Sequence, residues 1–182
     1  MRDQDLQSVA AAELADGEPL GKALLALNNA DAAQLSWLEP ERLTHLVAQA
    51  FLARRIGDVD AFLLALDQDA DYDSPNFLWI RSRYPRFVYV DRIVVAARSR
   101  GRGLARLLYH DLFVEAARAG HVRVVCEVNS QPPNPASDAF HAALGFVEVG
   151  SAAIDGGSKT VRYLLRSLDG QAALAGGSAS TE

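Results

Sequence analysis

The segment 87–120 of this 182-residue chain changes its hydrophobic period in mid-course, and that change constrains the fold more than anything else in the sequence. It reads FVYVDRIVVAARSRGRGLARLLYHDLFVEAARAG. Its first part, 87–96, is dense in β-branched and aromatic residues, as a buried strand is. Its last part, 104–119, places Leu104, Leu107, Leu108, Leu112, Ala116 and Ala119 at helical spacing. Between them lies an Arg/Gly junction, 98–103. A strand that runs through glycines into a helix presents the helix's unpartnered first amides at the positive end of its dipole, which suits an anion. Gly101 and Gly103 have no side chain to keep a phosphate off the backbone, and Arg98, Arg100, Arg102 and Arg106 add positive charge. A Walker A loop would need Lys and then Ser or Thr after its last glycine, but Leu104 and Ala105 stand there. A dinucleotide fingerprint would need a small residue at Arg106 and a ribose-binding acid after the next strand, so that match is weak. The plain alternative is an Arg-rich turn that caps a helix.

The arginines sit on an acidic chain. A net charge of -5 argues against nucleic acid as the main partner and favours a small anionic ligand over a polyanion. Hydrophobic residues make up 49%, enough at this length for one domain with a full core. No apolar run is long enough to span a membrane, and no signal peptide opens the chain, so a cytoplasmic place is expected. Cys126 is the only cysteine, which excludes an intrachain disulfide and a cysteine metal cluster. His45, His110 and His121 show no metal-ligand spacing, so no metal is expected.

In chain order, 1–21 reads as an N-terminal extension in which Leu6, Val9 and Leu14 mark a short helix. A single domain is expected over 22–168. Within it, 22–28 reads as a first strand, 28–31 as a turn or cap cluster, and 30–38 and 40–53 as two short helices, with Arg54 and Arg55 near the end of the second. A strand follows over 61–66. The stretch 68–86 is a long connection that carries Tyr72, Phe77, Trp79 and Tyr84, with a short helix opened by Pro75 and closed by Pro85. Its aromatics form either a lid or wall for a ligand pocket or a patch on the core or a dimer contact. After the central strand and helix, 121–128 reads as another buried strand, reached by a right-handed parallel crossover. A proline-rich turn, 129–135, leads to a helix over 135–144, capped by Asn134 and ended by Gly145. Strands 146–154 and 160–167 are joined at Gly156 and Gly157. The tail, 169–182, is Gly/Ala/Ser-rich and is expected to be disordered.

The run Arg100-Gly101-Arg102-Gly103-Leu104-Ala105 has the form R-x-x-G-x-A behind a strand that ends in Val94 and Val95. A second block, 127–146, reads EVNSQPPNPASDAFHAALGF. Asn134, Phe140, His141, Gly145 and Phe146 fall there in the order N-x-x-A-x-x-x-[YFH]-x-x-x-G-F, in loose form. Together the two blocks resemble the GNAT superfamily of N-acetyltransferases, closely over 89–146 and more loosely over 22–167. The resemblance implies an α/β (α+β) fold, with a mixed, mostly antiparallel central sheet, a splayed parallel strand pair and flanking helices. It also implies acetyl-CoA as co-substrate. Its pyrophosphate would lie on the amides of Arg100, Gly101, Arg102, Gly103, Leu104 and Ala105. Backbone groups of Ile93, Val94 and Val95 would take the pantetheine arm and the acetyl carbonyl, and Asn134 and Ser137 would approach the cofactor from the other side.

N-acetyl transfer needs a neutral amine, a donor for the developing oxyanion and a proton or hydrogen bond for the leaving thiolate. Glu127, near the end of the second parallel strand, is the leading base. Asp91 on the central strand competes, and either carboxylate could instead be half of a structural ion pair. His141 stands where most family members place a tyrosine that protonates the sulfur. Imidazole suits that task, but a packed helix histidine is the alternative, which leaves water or Tyr109 as donor. Cys126, embedded in mid-strand with no histidine beside it, is a poor acyl carrier. Acetyl transfer to a primary amine in a ternary complex is therefore expected. The acceptor would be a small molecule or a peptide, and the acidic loop of Asp67, Asp69, Asp71 and Asp73 either attracts it or is merely solvated. A non-catalytic acyl-CoA-binding or sensor module stays open, as does a weaker nucleotide-dependent Rossmann enzyme. Dimers are common in the family, so a homodimer is open too.

Overall fold

A computed structural model describes residues 6–14, 18–31 and 35–168. In chain order it contains β1 (Leu6–Ser8), α1 (Pro19–Ala30), α2 (Pro40–Ala48), β2 (Leu52–Ile56), β3 (Ala61–Asp67) and α3 (Pro75–Arg81). There follow β4 (Val88–Val95), α4 (Leu104–Arg118), β5 (Arg123–Gln131), α5 (Pro135–Ala143), β6 (Val147–Ile154) and β7 (Lys159–Ser167). Seven strands form one sheet in the order β1-β2-β3-β4-β5-β7-β6. β1–β2, β2–β3, β5–β7 and β6–β7 are antiparallel, and β4–β5 is parallel through Val88↔Val124 and Tyr89↔Val125. This is the mixed, mostly antiparallel α/β class expected above.

The chain divides into two compact units, 1–72 with 90–112 and 73–89 with 113–182. In the first, β3 is apolar on both faces: Ala61 to Leu66 are all buried, as a strand covered on both sides must be. Leu24 of α1 and Leu43 and Leu46 of α2 are buried at helical spacing, and Leu104, Leu108 and Leu112 line one side of α4. In the second unit, Phe77 meets Phe87 and Tyr89 edge to face, each with ring centroids 5.6 Å apart. Arg166 lies 3.9 Å over the Phe113 ring, whose centroid is 6.1 Å from that of Phe146.

Several expectations are corrected. The segment 22–28 is not a strand but the body of α1. A short apolar run has no period that separates strand from helix, but Ala and Leu are strong helix formers. The buried residues Gly21, Leu24 and Asn28 repeat at helical spacing behind Pro19 in the first turn. The helix expected over 40–53 stops at Ala48, and Arg54 and Arg55 lie on β2, where pairing to β3 overrides helical propensity. In place of a short N-terminal helix there is a strand, β1, followed by one 3₁₀ turn at Ala11–Leu14. The helix expected over 30–38 falls in part on 32–34, outside the described residues; Leu35 N bonds to Asp31 O at 3.1 Å, and the backbone leaves helical geometry at Ser36, whose φ of 71° is left-handed. Asparagine side chains hold the backbone there instead. Asn28 donates to Ser36 O at 3.0 Å, and Asn29 donates to Leu38 O and accepts from Leu38 N, each at 2.9 Å. Residues 32–34 and the tail 169–182 lie outside the described residues.

The remaining elements fall where expected within a few residues. Asn134 accepts from Ser137 N at 3.2 Å to cap α5, and Gly145 follows that helix at φ 81°. Among the described residues no helix is long and apolar enough to cross a membrane.

Candidate active site

The junction between β4 and α4 belongs to the first unit. Gly101 and Gly103 have φ of 75° and 78°, a region that L side chains rarely adopt. A Cβ added at either would meet nothing within 4 Å, so packing does not demand glycine. Backbone conformation does, and the space in front of these residues is open to a ligand. Leu107 N is bonded to Gly103 O at 3.1 Å, so the amides of Leu104, Ala105 and Arg106 precede the helix's first internal bond. Asp60 braces the junction. Its Oδ1 accepts from Ser99 Oγ at 2.7 Å and pairs with Arg98 at 3.0 Å, and its backbone oxygen accepts from Ala96 N at 2.8 Å. The Ser99 hydroxyl, and secondly Arg98, hold the Asp60 carboxyl below its ordinary value against the opposing effect of burial. Arg100 pairs with Asp31 at 2.7 Å and donates to Val95 O at 3.3 Å, while Arg102 lies 3.5 Å from Ser99 Oγ. Ile93 and Val95 are half-buried on one face of β4, and Val94 is buried on the other.

Asp91 is also in the first unit. Its carboxylate accepts from Tyr72 Oη and from Arg92 Nε, both at 2.6 Å, and both charged side chains are nearly inaccessible. Arg92 Nη1 in turn donates to Asn28 Oδ1 at 2.7 Å. The oxygens of Asp91 thus face a phenol and a buried cation, the ion-pair arrangement weighed above.

Glu127 lies in the second unit, half-buried on β5. Its Oε1 accepts from Asn76 Nδ2 at 3.1 Å and its Oε2 from Tyr89 Oη at 2.7 Å. Tyr163, opposite Glu127 on β7, donates to Asn76 Oδ1 at 3.0 Å. Burial, and then the Glu127 charge, push the Tyr163 phenol up to about 12, so it remains a donor at neutral pH. Nothing in the sequence singles out Asn76, Tyr89 or Tyr163. Asn76 sits at the start of α3, inside the stretch 68–86, where Trp79 stacks on Tyr163 at 3.9 Å.

On α5, in the same unit, His141 is buried and its Nδ1 lies 2.8 Å from Ser137 O. A carbonyl only accepts, so this contact places the proton of neutral imidazole on Nδ1. Burial lowers the His141 pKa more than the Ser137 carbonyl and Asp138 raise it. Phe140 and Phe146 meet the ring edge to face, each at 5.3 Å. Ser137 Oγ lies 3.2 Å from His141 Nδ1, so Asn134 and Ser137 both act within the first turn of α5. Tyr109 is completely buried in α4, and Cys126 is buried in β5. Among the described residues no group of His, Cys, Asp and Glu could hold a metal ion.

The profile of the Acetyltransferase (GNAT) family matches residues 30–146 of this chain. The chain belongs to the GNAT family. A relative is L-2,4-diaminobutyric acid acetyltransferase of Wolinella succinogenes, 33% identical over 67 residues. That match covers 37% of this chain and 39% of the relative, so the chain spans well under half the length of the curated relative it matches. The ribosomal-protein-S18-alanine N-acetyltransferase of Escherichia coli has a similar fold, with TM-score 0.64 and 16% identity over 90% of this chain and 93% of the other. Ard1 of Thermoplasma volcanium aligns with TM-score 0.67 and 11% identity over 90% of this chain and 96% of the other. At such identities these two likenesses concern the fold. The GNAT family consists of acyltransferases that use acetyl-CoA and act on amine acceptors. In this GNAT chain the positive-φ junction leaves open space before Gly101 and Gly103.

Two outcomes are expected. Arg92→Met strands a buried carboxylate and should cost about 3–5 kcal/mol in urea denaturation, part of which Asp91→Leu in the same chain recovers. Below pH 6.5 the unfolded chain takes up a proton at His141 that the folded chain resists, so stability falls as pH drops from there. His141→Gln should flatten that slope in thermal melts taken from pH 7 downward.

Proposed function

We propose that this chain transfers an acetyl group from acetyl-CoA to a primary amine by direct attack, with Glu127 as the base. The observation that carries this is the contrast between its two candidate carboxylates. Asp91 is tied to a buried guanidinium, whereas Glu127 accepts hydrogen bonds from an amide and a phenol, which orient its two oxygens. Acetyl-CoA supplies the activated acyl group as a thioester. Glu127 takes the proton that the amine must lose, directly or through water, as the nitrogen–carbon bond forms and the carbon–sulfur bond breaks.

The junction amides of Arg100, Gly101, Arg102, Gly103, Leu104 and Ala105 hold the diphosphate. Backbone groups of Ile93, Val94 and Val95 take the pantetheine arm and the acetyl carbonyl, and Asn134 and Ser137 contribute from α5. His141 aligns with the family's proton donor, but its Nδ1 proton is directed at the Ser137 carbonyl and burial disfavours a second proton. The thiolate is therefore protonated by water. The acceptor is an amine of a small molecule or a peptide. The relative's name makes L-2,4-diaminobutyric acid one compound to screen. A cytoplasmic place and a homodimer complete the proposal, to be read by fractionation and sedimentation.

Glu127→Gln should lower kcat by about 10²–10⁴-fold in thiol release from acetyl-CoA, with the calorimetric heat of CoA binding unchanged. Gly103→Val should weaken CoA binding by about tenfold or more, because the valine strains the loop whose amides hold the phosphates. Full turnover by Glu127→Gln removes the base, and unchanged CoA affinity in a folded Gly103→Val chain removes the diphosphate site.

A further inference from the structure

We propose that Asn76 is a positioning residue for Glu127, and that Gly150 makes room for the Trp79 ring that holds the helix of Asn76 in place. The inference rests on the reading of Glu127 as the base. The orientation of the Asn76 amide follows from its two neighbours. A carboxylate only accepts, so the NH₂ group faces Glu127, and the carbonyl is left for the Tyr163 phenol. With Tyr163 kept protonated, the Asn76 amide is pinned at both ends. Tyr89 Oη fixes the other oxygen of Glu127 from β4. The carboxylate is thereby held against rotation from both sides, and positioning of this kind separates a base aimed at an amine from one that sweeps past it.

Asn76 lies at the second position of α3, so its placement is that of the helix. Trp79, one turn on, stacks on Tyr163 with ring planes 16° apart. Arg83 covers the other face of the indole at 3.7 Å and donates to Trp79 O at 3.0 Å. The indole reaches Tyr163 because position 150 of β6, paired with Tyr163, has no side chain. A Cβ there would stand 2.7 Å from Trp79 Cη2 and Cζ2. The β6–β7 register shifts between Glu148 and Gly150, so the strand is irregular where the ring is seated. One phenol, Tyr163, therefore serves as platform for Trp79 and as donor to Asn76, and ring packing and amide orientation are coupled through it.

Two readouts test this. In ¹H–¹⁵N spectra the Asn76 side-chain amide should exchange slowly with solvent, and Tyr163→Phe or Gly150→Val should accelerate that exchange by about tenfold or more. In thiol-release assays with L-2,4-diaminobutyric acid and with a peptide bearing an N-terminal alanine, Asn76→Asp keeps the side chain's shape but removes the donor. It should lower kcat by roughly 10–100-fold with the KM for acetyl-CoA unchanged. Asn76→Ala and Gly150→Val should shift the same parameter in the same direction, with near-UV circular dichroism confirming that each variant is folded. Should Glu127→Gln be inactive while Asn76→Asp retains wild-type kcat and the amide exchanges freely, the positioning role is refuted and the base stands. Should Glu127→Gln itself be fully active, the base is refuted and this inference falls with it.

Discussion

A guanidinium withdrawn from water has to be met by an anion and by acceptors for its remaining protons, and Arg92 imposes that requirement on the whole first unit. Asp91 supplies the anion and Asn28 the further acceptor. Once Asn28 turns its oxygen to Arg92, its NH₂ must point the other way, where it reaches Asn29 and the Ser36 carbonyl. The left-handed residue at 36 is thus tied through the Asn28 amide, and Leu38 through the neighbouring Asn29 amide, to a charge on the central strand. Tyr72 closes the chain of contacts by donating to the second oxygen of Asp91. The strand that carries Asp91 and Arg92 also ends in the junction braced by Asp60.

Two acids that look alike in sequence have different partners in the structure. A carboxylate beside a buried guanidinium is bound into an ion pair that the packing around it needs. Hydrogen bonds from an amide and a phenol fix the orientation of a carboxylate. Asp91 has the first environment and Glu127 the second. Neither environment is visible in the few residues around each acid, because the partners come from elsewhere in the chain. Asn28 is 64 residues from Arg92, and Asn76 is 51 residues from Glu127.

What can be read from the sequence divides along the same line. The junction at 98–103, the helix after it, the strands on either side and the cap at Asn134 depend on local chemistry: glycine at positive φ, proline in the first turn, an asparagine oxygen over the first amides of a helix. These are legible. Elements decided by distant pairing are not. KALLALN has the apolar density of a strand but folds as a helix, because its buried positions answer to the core of the first unit. LARRI continues a helical run in sequence but pairs with β3. Among the site residues, Glu127 stands out by its place at the end of a strand. Asn76 and Tyr163 carry no signal of their own, and the only hint is the long aromatic stretch 68–86 between two strands. Trp79 and Phe77 in that stretch turn out to be packing residues, while Tyr72 and Asn76 are the ones that touch acids.

That stretch also shows how apolar contacts can aim a polar group. α3 has 7 residues, too few for an isolated helix, since lengths below about 12–15 are marginal in water. It persists because Phe77 and Ile80 are completely buried and Trp79 lies flat on Tyr163. Each aromatic pair contributes about 0.5–1.5 kcal/mol beyond its buried area, comparable to the net worth of a single hydrogen bond. The hydrophobic effect by itself has no direction, but close packing does: rings stacked face to face and edge to face allow a short helix few orientations. The hydrogen bonds between Tyr163, Asn76 and Glu127 form on the same helix and the same phenol that the rings pack against. A hydrogen bond loses strength within a few tenths of an ångström and some tens of degrees, so packing that limits how a helix can shift also limits the bonds its side chains can make.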